Sequence, residues 1–272
     1  MWDALDLLNS VASNSIDVII ADPPYNLGKD YGNDSDKKCF DSYLNFSKKW
    51  ISECHRILKP TGTIYIFMGV RFISYLYTIL EQEHKMIFNS WITWHYTQGV
   101  GKTKGFSPRH EDILMFTKTK NFRFNIDNIR IPQKHYRSIN NMDGANPGDV
   151  WQFSHVHYSN PEREKHPTQK PEAIIERMLL ASSSEHDNIL DPFAGSGTTL
   201  RVAQVLNRNC IGFELNEDYI NIIQSRLQKP FQGFDSVDER KNRKPLNFKE
   251  NKIELFWNMS GLIKYIITKL IL

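Results

Sequence analysis

Asn188-Ile-Leu190 runs straight into Asp191-Pro192-Phe193-Ala194-Gly195-Ser196-Gly197-Thr198-Thr199, and the order of residue types along this stretch decides the fold. An apolar run of strand length ends in an acid, a glycine turn follows, and helical spacing continues to about Asn207. Cys210-Ile-Gly-Phe-Glu214 then reads as a second strand ending in an acid, and Glu217 to Leu227 as a second helix. Strand, glycine turn, helix, strand and terminal acid describe a nucleotide-type pocket. Glycines let the backbone approach a ligand, and the acid accepts hydrogen bonds from ribose hydroxyls. A dinucleotide fingerprint would need a third glycine where Leu200 stands, and a phosphate-binding P-loop would need a Gly-Lys-Ser/Thr ending; both are absent from this stretch.

Upstream, Asp17-Val-Ile-Ile-Ala21 is a buried strand feeding Asp22-Pro23-Pro24-Tyr25. Asp3 to Val11 and Phe40 to Leu58 have helical spacing, the latter stopped by Pro60-Thr-Gly62. Thr63 to Phe67 reads as a strand, Val70 to Glu83 as a helix, and Met86 to Trp94 and Glu111 to Thr117 as strands. A proline-started helix runs from Pro171 through Leu180. This alternation predicts an α/β fold with a doubly wound, mostly parallel sheet. Ligands bind at the carboxyl edge of such sheets, so Asp22 to Tyr25 and Asp191 to Thr199 are expected to form one bipartite site.

The chain of 272 residues, 40% hydrophobic and 24% charged, suits one catalytic domain with an insertion. The expected parts are 1–118 and 166–228 as the two halves of that domain, 119–165 as an insertion, and 229–272 as a basic linker with an apolar end. Cys39, Cys54 and Cys210 have neither zinc nor disulfide spacing and suit a reducing cytoplasm. His155 and His157 are read as an ordinary alternation, and no metal is expected. A net charge of +3 permits nucleic-acid binding, and between Lys118 and Lys165 basic residues alternate with Phe122, Phe124, Tyr136, Trp151, Phe153 and Tyr158. Lys264 and Lys269 interrupt the isoleucine-rich end, so a surface or packing helix is expected there rather than a membrane span.

Taken together, Asp22 to Tyr25, Asp191 to Thr199 and His166-Pro167-Thr168-Gln169-Lys170-Pro171 resemble the motifs of DNA amino-methyltransferases. The resemblance covers nearly all of residues 3 to about 227, through Leu58-Lys-Pro-Thr-Gly-Thr-Ile, Trp91-Ile-Thr-Trp94, His110-Glu111-Asp-Ile-Leu and Gly148-Asp-Val-Trp151. It implies a Rossmann-like sheet, S-adenosylmethionine as cofactor, duplex DNA as partner and a flipped base as target. Asp191, Pro192, Phe193, Gly195, Ser196, Gly197, Thr198 and Thr199 would surround the cofactor. Thr168, Gln169 and Lys170 would approach its amino-acid end, and Glu214 its ribose. Asp22 and the Pro23 carbonyl would accept the amine's hydrogens, Pro24 would hold the turn rigid, and Tyr25 would stack on the base.

The order of motifs resembles the beta class, with 119–165 as target-recognition region, and Asp rather than Ser at position 22 points to adenine N6 over cytosine N4. Arg130, Gln133, Arg137 and Asn140 are candidate readers of the sequence, and Trp94 a candidate wall of the base pocket. A cognate restriction endonuclease and a homodimer are further expected partners. Family members carry a strand before the opening helix that ends near an acid contacting the cofactor's adenine; Asp3 is the candidate here, with most of that strand missing before it. The competing expectations are cytosine N4 methylation and a DNA-binding remnant without turnover.

Overall fold

Val18 and Ile20 of β1 (Ile16–Ala21) face one hydrophobic cluster, while Ile19 and Ala21 face another. β2 (Leu58–Met68) repeats the pattern, with Tyr65 and Phe67 on one side and Ile64, Ile66 and Met68 on the other. Period-two side chains buried on both sides require a sheet covered on both faces. The computed structural model of the chain describes residues 4–28, 38–97, 99, 101–132, 143–157, 159–231, 252–257 and 264–269.

The remaining elements follow in order. They are α1 (Ala4–Asn9), α2 (Phe40–Ile57), α3 (Ile73–Thr78) with a π-helical turn (Ile79–Glu83), β3 (Ile87–His95), β4 (His110–Thr117) and β5 (Val150–Gln152), then α4 (Glu172–Ser182), β6 (Asn188–Asp191), α5 (Thr198–Val205), β7 (Asn209–Phe213), α6 (Glu217–Gln228), β8 (Lys252–Trp257) and β9 (Lys264–Lys269). The sheet order is β5-β3-β4-β2-β1-β6-β7-β9-β8. All of these strands but β4 and β9 run in one direction. Helices α1 to α3 cover one face through Leu8, Trp50, Ile51 and Leu76, and α4 to α6 cover the other through Ile174, Met178, Leu200 and Ile223. The fold is therefore the doubly wound α/β sheet that the alternation of elements predicts.

β1 pairs in parallel with β2 on one side and with β6 on the other. The chain leaves β1 through α2 towards β2, and leaves β6 through α5 in the opposite direction towards β7. The carboxyl ends of β1 and β6 thus form a topological switch point, where diverging crossovers leave a crevice. At the opposite end, Asp17 ties the three central strands together, accepting from Lys59 Nζ at 2.7 Å and from the Asn188 amide at 2.9 Å.

Three local expectations are corrected, and the region expected as an insertion supplies a strand. Pro60-Thr-Gly62 does not separate helix from strand: β2 begins at Leu58, directly after α2. Proline is tolerated because the pairing with β1 is irregular there, stepping from Leu58 to Thr63, and residues 59–61 lie outside the core. The expected helix from Val70 to Glu83 is shorter and changes to π geometry at Ile79. The insertion contributes β5, which pairs in parallel with β3 and sends Trp151 and Phe153 into the core. At the C-terminal end, where a helix was expected, β9 pairs with β7 and β8 with β9. The β-branched run Lys264-Tyr-Ile-Ile-Thr-Lys269 suits a strand and covers what would otherwise be the open edge of β7. No helix among the described residues is long and apolar enough to cross a membrane.

Candidate functional site

A cavity of about 580 Å³ opens at the switch point, lined by both halves of the expected site. Asp22, Pro23, Pro24 and Tyr25 line it from the end of β1. Asp191, Pro192, Phe193, Gly195, Ser196, Thr198, Thr199 and Glu214 line it from the ends of β6 and β7, and Thr168, Gln169 and Lys170 from the segment entering α4. Gly197 stands behind the wall. Asp3 lies outside the described residues, as do Gln133, Arg137 and Asn140.

The β6 half is built from backbone geometry. Gly195 (φ +52°) and Gly197 (φ +75°) occupy the left-handed region. A Cβ on Gly197 would come within 2.8 Å of Ile223, so only glycine lets the turn lie against α6. Glu214 accepts the Gly195 amide on one oxygen (2.8 Å), and the Leu215 and Asn216 amides on the other (2.8 and 2.9 Å). These bonds aim the carboxylate and leave room for one more donor. Burial nevertheless holds Glu214 above the usual glutamate range.

Asp191 accepts the Phe193 amide at 3.0 Å, and burial pushes its carboxyl up to about 7. Phe193 packs on Trp50 with ring centres 5.4 Å apart. Replacing the wholly buried Trp50 by Ala would leave a void costing about 3–5 kcal/mol and unsupport that wall.

Arg226 staples this half from below. Its guanidinium is buried, lies 2.7 Å from Glu172, and donates to the Ser196 carbonyl and the Thr198 hydroxyl. Removing one partner of such a buried pair costs about 3–5 kcal/mol.

The β1 half is charged. Lys170 Nζ lies 2.8 Å from Asp22 Oδ2 and 3.3 Å from Glu111 Oε2, and the Tyr25 hydroxyl donates to the same Glu111 oxygen at 2.8 Å. Asp22 Oδ1 is buried and finds no hydrogen-bond partner among the described residues. Burial pushes the Asp22 carboxyl up, Lys170 pulls it down and Glu111 pushes it up again, leaving it above the usual aspartate range. Burial acts on Glu111 in the same sense, but Lys170 and the Tyr25 hydroxyl outweigh it and hold Glu111 low. Burial would deprotonate Lys170, yet its two carboxylate partners reverse the effect and keep it a cation. Tyr25, pushed well up by burial and by Asp22, stays a donor. The Tyr43 hydroxyl holds the turn by donating to the Pro24 carbonyl at 2.7 Å.

Other expected residues sit differently. The Gln169 amide bonds the 162–164 loop, donating to the Glu162 carbonyl at 2.7 Å and accepting the Glu164 amide at 2.8 Å. Trp94 is fully buried and donates to the Phe153 carbonyl at 2.9 Å, so it is core rather than pocket wall; Tyr96 lines the cavity instead. Arg130 is held by Asp127 at 2.7 Å and by the Gly144 carbonyl. Arg123 pairs with Asp187, and Lys118 reaches Asn14 and the Leu58 carbonyl. These three cations therefore brace the domain. No cluster among the described residues has the makings of a metal site. Sequence reading named Glu111 and His166 only as members of motifs, without a role, and passed over Tyr96 and Tyr219; all four line the cavity, His166 and Tyr219 with ring centres 4.5 Å apart.

Residues 16–225 match the DNA methylase family N6_N4_Mtase. The chain belongs to that family. It is 62% identical to the type II methyltransferase M.HpaI of Haemophilus parainfluenzae over 89% of this chain and 78% of the relative. It is 39% identical to the DNA adenine methyltransferase YhdJ of Escherichia coli K12 over 83% and 80% of the two chains. Among solved structures, the M1.HpyAVI–SAM complex superposes with a TM-score of 0.57 at 26% identity, covering 83% of this chain and 97% of that one. Membership of the DNA methylase family covers methylation at either amino nitrogen, N6 or N4.

Proposed function

We propose that the chain methylates the N6 amino group of adenine in a short duplex DNA sequence, with S-adenosylmethionine as methyl donor. The observation carrying this reading is Asp22 Oδ1, a buried acceptor with no partner among the described residues, in the same cavity as the Asp191 and Glu214 loops. A buried unpaired oxygen is costly unless a ligand supplies the missing donor.

The residues of the β6 half fit the cofactor. Glu214, aimed by three amides, takes a ribose hydroxyl, and the Gly195 to Thr199 turn brings backbone close to the methionine part. When bound, S-adenosylmethionine supplies a methyl group made electrophilic by its positive sulfur. Asp22, Glu111 and Lys170 together carry one net negative charge, which favours a cation beside them.

An exocyclic amine is a weak nucleophile because its lone pair is delocalised into the ring. Asp22 Oδ1 and the Pro23 carbonyl accept its two hydrogens and draw the pair back onto nitrogen. Asp22 then takes the proton released, while Lys170 holds the carboxylate in place through Oδ2. Tyr25, fixed through its hydroxyl on Glu111, offers its ring to the extruded base. In this arrangement Lys170 and Glu111 are positioning residues, and Lys170 is a neighbour of Asp22 before it is a partner for a carboxylate on the cofactor.

Adenine is favoured by Asp at position 22 and by the likeness to a relative named an adenine methyltransferase. The names of the type II relatives further support a setting in which a cognate endonuclease cuts the unmethylated sequence. The test is transfer of a labelled methyl group to unmethylated genomic DNA followed by nucleoside analysis. Labelled N6-methyladenine is expected; N4-methylcytosine would reassign the base, and a folded chain that transfers nothing would remove the reading.

A further inference from the structure

Several of the exposed large apolar side chains among the described residues stand at the rim of the cavity. Leu27, Val70 and Leu215 line the cavity while standing 58%, 65% and 47% exposed, and Phe106, two residues from the lining Pro108, is 100% exposed. Two residues of chain reach at most about 7 Å. Phe106 belongs to the segment joining β3 to β4, of which Tyr96 and Pro108 both border the cavity. The tip has a built turn: the Lys102 amide donates to Ser107 Oγ at 2.8 Å, and Gly105 takes φ +84° with nothing near its would-be Cβ. From Tyr96 to His110 the sequence holds Lys102, Lys104 and Arg109 and no acid. Lys118, Arg123 and Arg130, by contrast, are spent on contacts within the fold.

We infer that the β3–β4 loop is a duplex-entering element in which Phe106 fills the space vacated by the extruded base while Lys102 and Lys104 meet the flanking phosphates. This rests on the reading of the chain as a base-flipping DNA methyltransferase. A flipped base leaves a gap of one stacked step, and an apolar wedge delivered beside the pocket offsets the lost stacking. A solvated aromatic ring two residues from the wall of the cavity, flanked by cations on an acid-free turn, has the chemistry for that role and no packing role in the fold. Its partner is a base stack, and the neighbouring charges match the DNA backbone.

The methylated sequence is first mapped by sequencing DNA treated with the wild-type chain, and duplexes are then made with the target base paired or opposite an abasic site. Phe106→Ala is expected to lower turnover about tenfold on the paired duplex and to recover nearly wild-type turnover on the abasic one, where destacking costs less. The fluorescence rise of 2-aminopurine at the target should shrink in parallel, with melting temperature and S-adenosylmethionine affinity unchanged. The double variant Lys102→Gln with Lys104→Gln should flatten the slope of log K against log salt by about 1.8. If Phe106→Ala matches the wild type on the paired duplex, or is impaired equally on both duplexes, the wedge is overturned while the methyltransferase reading stands. An unchanged salt slope overturns the phosphate contacts. A wild-type chain that modifies no DNA overturns the function and the wedge with it.

Discussion

The two halves of the cavity are built on opposite physical plans. Around β6 and β7 the polar groups are already engaged: Glu214 by three amides, Asp191 by the Phe193 amide, and the turn itself by Arg226. Around β1 three charges are crowded within hydrogen-bond reach, and one buried oxygen finds no partner among the described residues. A half whose groups are pre-satisfied gains shape and rigidity, which serve affinity. A half with an unpaired acceptor and a shared cation stores electrostatic tension that a substrate relieves, which serves turnover. Substitutions on the two sides should therefore separate binding from rate.

The sharpest attempt to break that separation is Asp22→Ala. Turnover is expected to fall about 10³-fold, the range of a lost acid–base group, while calorimetric affinity for S-adenosylmethionine changes less than about threefold. A comparable loss in cofactor affinity would mean that the halves are not independent. Gly197→Val strikes the other side. It places a β-branched residue at φ +75°, with its Cβ 2.8 Å from Ile223. It should destabilise the fold by about 2–3 kcal/mol and weaken cofactor binding roughly tenfold, with turnover at saturating cofactor little altered.

The same contrast explains what could be read from the sequence. The β6 half is contiguous: an apolar run, an acid and a glycine turn announce themselves in order, and the sheet only folds them up. Asp22 to Tyr25 was legible for the same reason. Glu111 was not, although His110-Glu111 stands at the start of a recognisable strand. Ligand sites are sought at the carboxyl ends of parallel strands, but β4 runs antiparallel to β2 and delivers its amino end to that edge. A charged cluster, His110-Glu111-Asp112, opening an otherwise apolar strand was the available signal. Arg226 was hidden because a basic residue in the last turn of a helix reads as solvated, whereas here it points inward under the glycine turn. The isoleucine-rich end misled through composition: Lys264 and Lys269 suited a helix face as well as a strand, and only the open edge of β7 decided between them.

Within the charged half, two neutralising substitutions should sharpen the comparison by moving the acidic limb of the turnover–pH profile in opposite directions. The groups facing Asp22 are Lys170 before α4, Glu111 at the start of β4, Tyr25 on its own loop and Asp191 at the end of β6. On the proposed mechanism, turnover requires ionised Asp22. Lys170→Met removes the cation that pulls its carboxyl down, so the limb should shift to higher pH. Glu111→Gln removes a neighbour that pushes it up while keeping an acceptor for Tyr25, so the limb should shift to lower pH. A purely structural role for either residue would lower rates without moving the limb. Equal shifts in one direction would break the charge triad as described.

A last substitution, which leaves rates aside and reads stability alone, tests the strain remaining in the pre-satisfied half. Burial pushes Asp191 from 3.8 up to about 7, so the folded state holds this proton more tightly than the unfolded chain. The extra stability is present below the unfolded value and is lost as pH rises through about 7, because above it the native state must carry a buried carboxylate. Asp191→Asn keeps the acceptor for the Phe193 amide and removes the charge. Its cofactor-free form should match the wild type near pH 4 and melt about 8 °C higher above pH 8. Identical melting at both pH values would mean that the carboxylate is solvated where it stands, and that the β6 half holds a free charge of its own as the β1 half does.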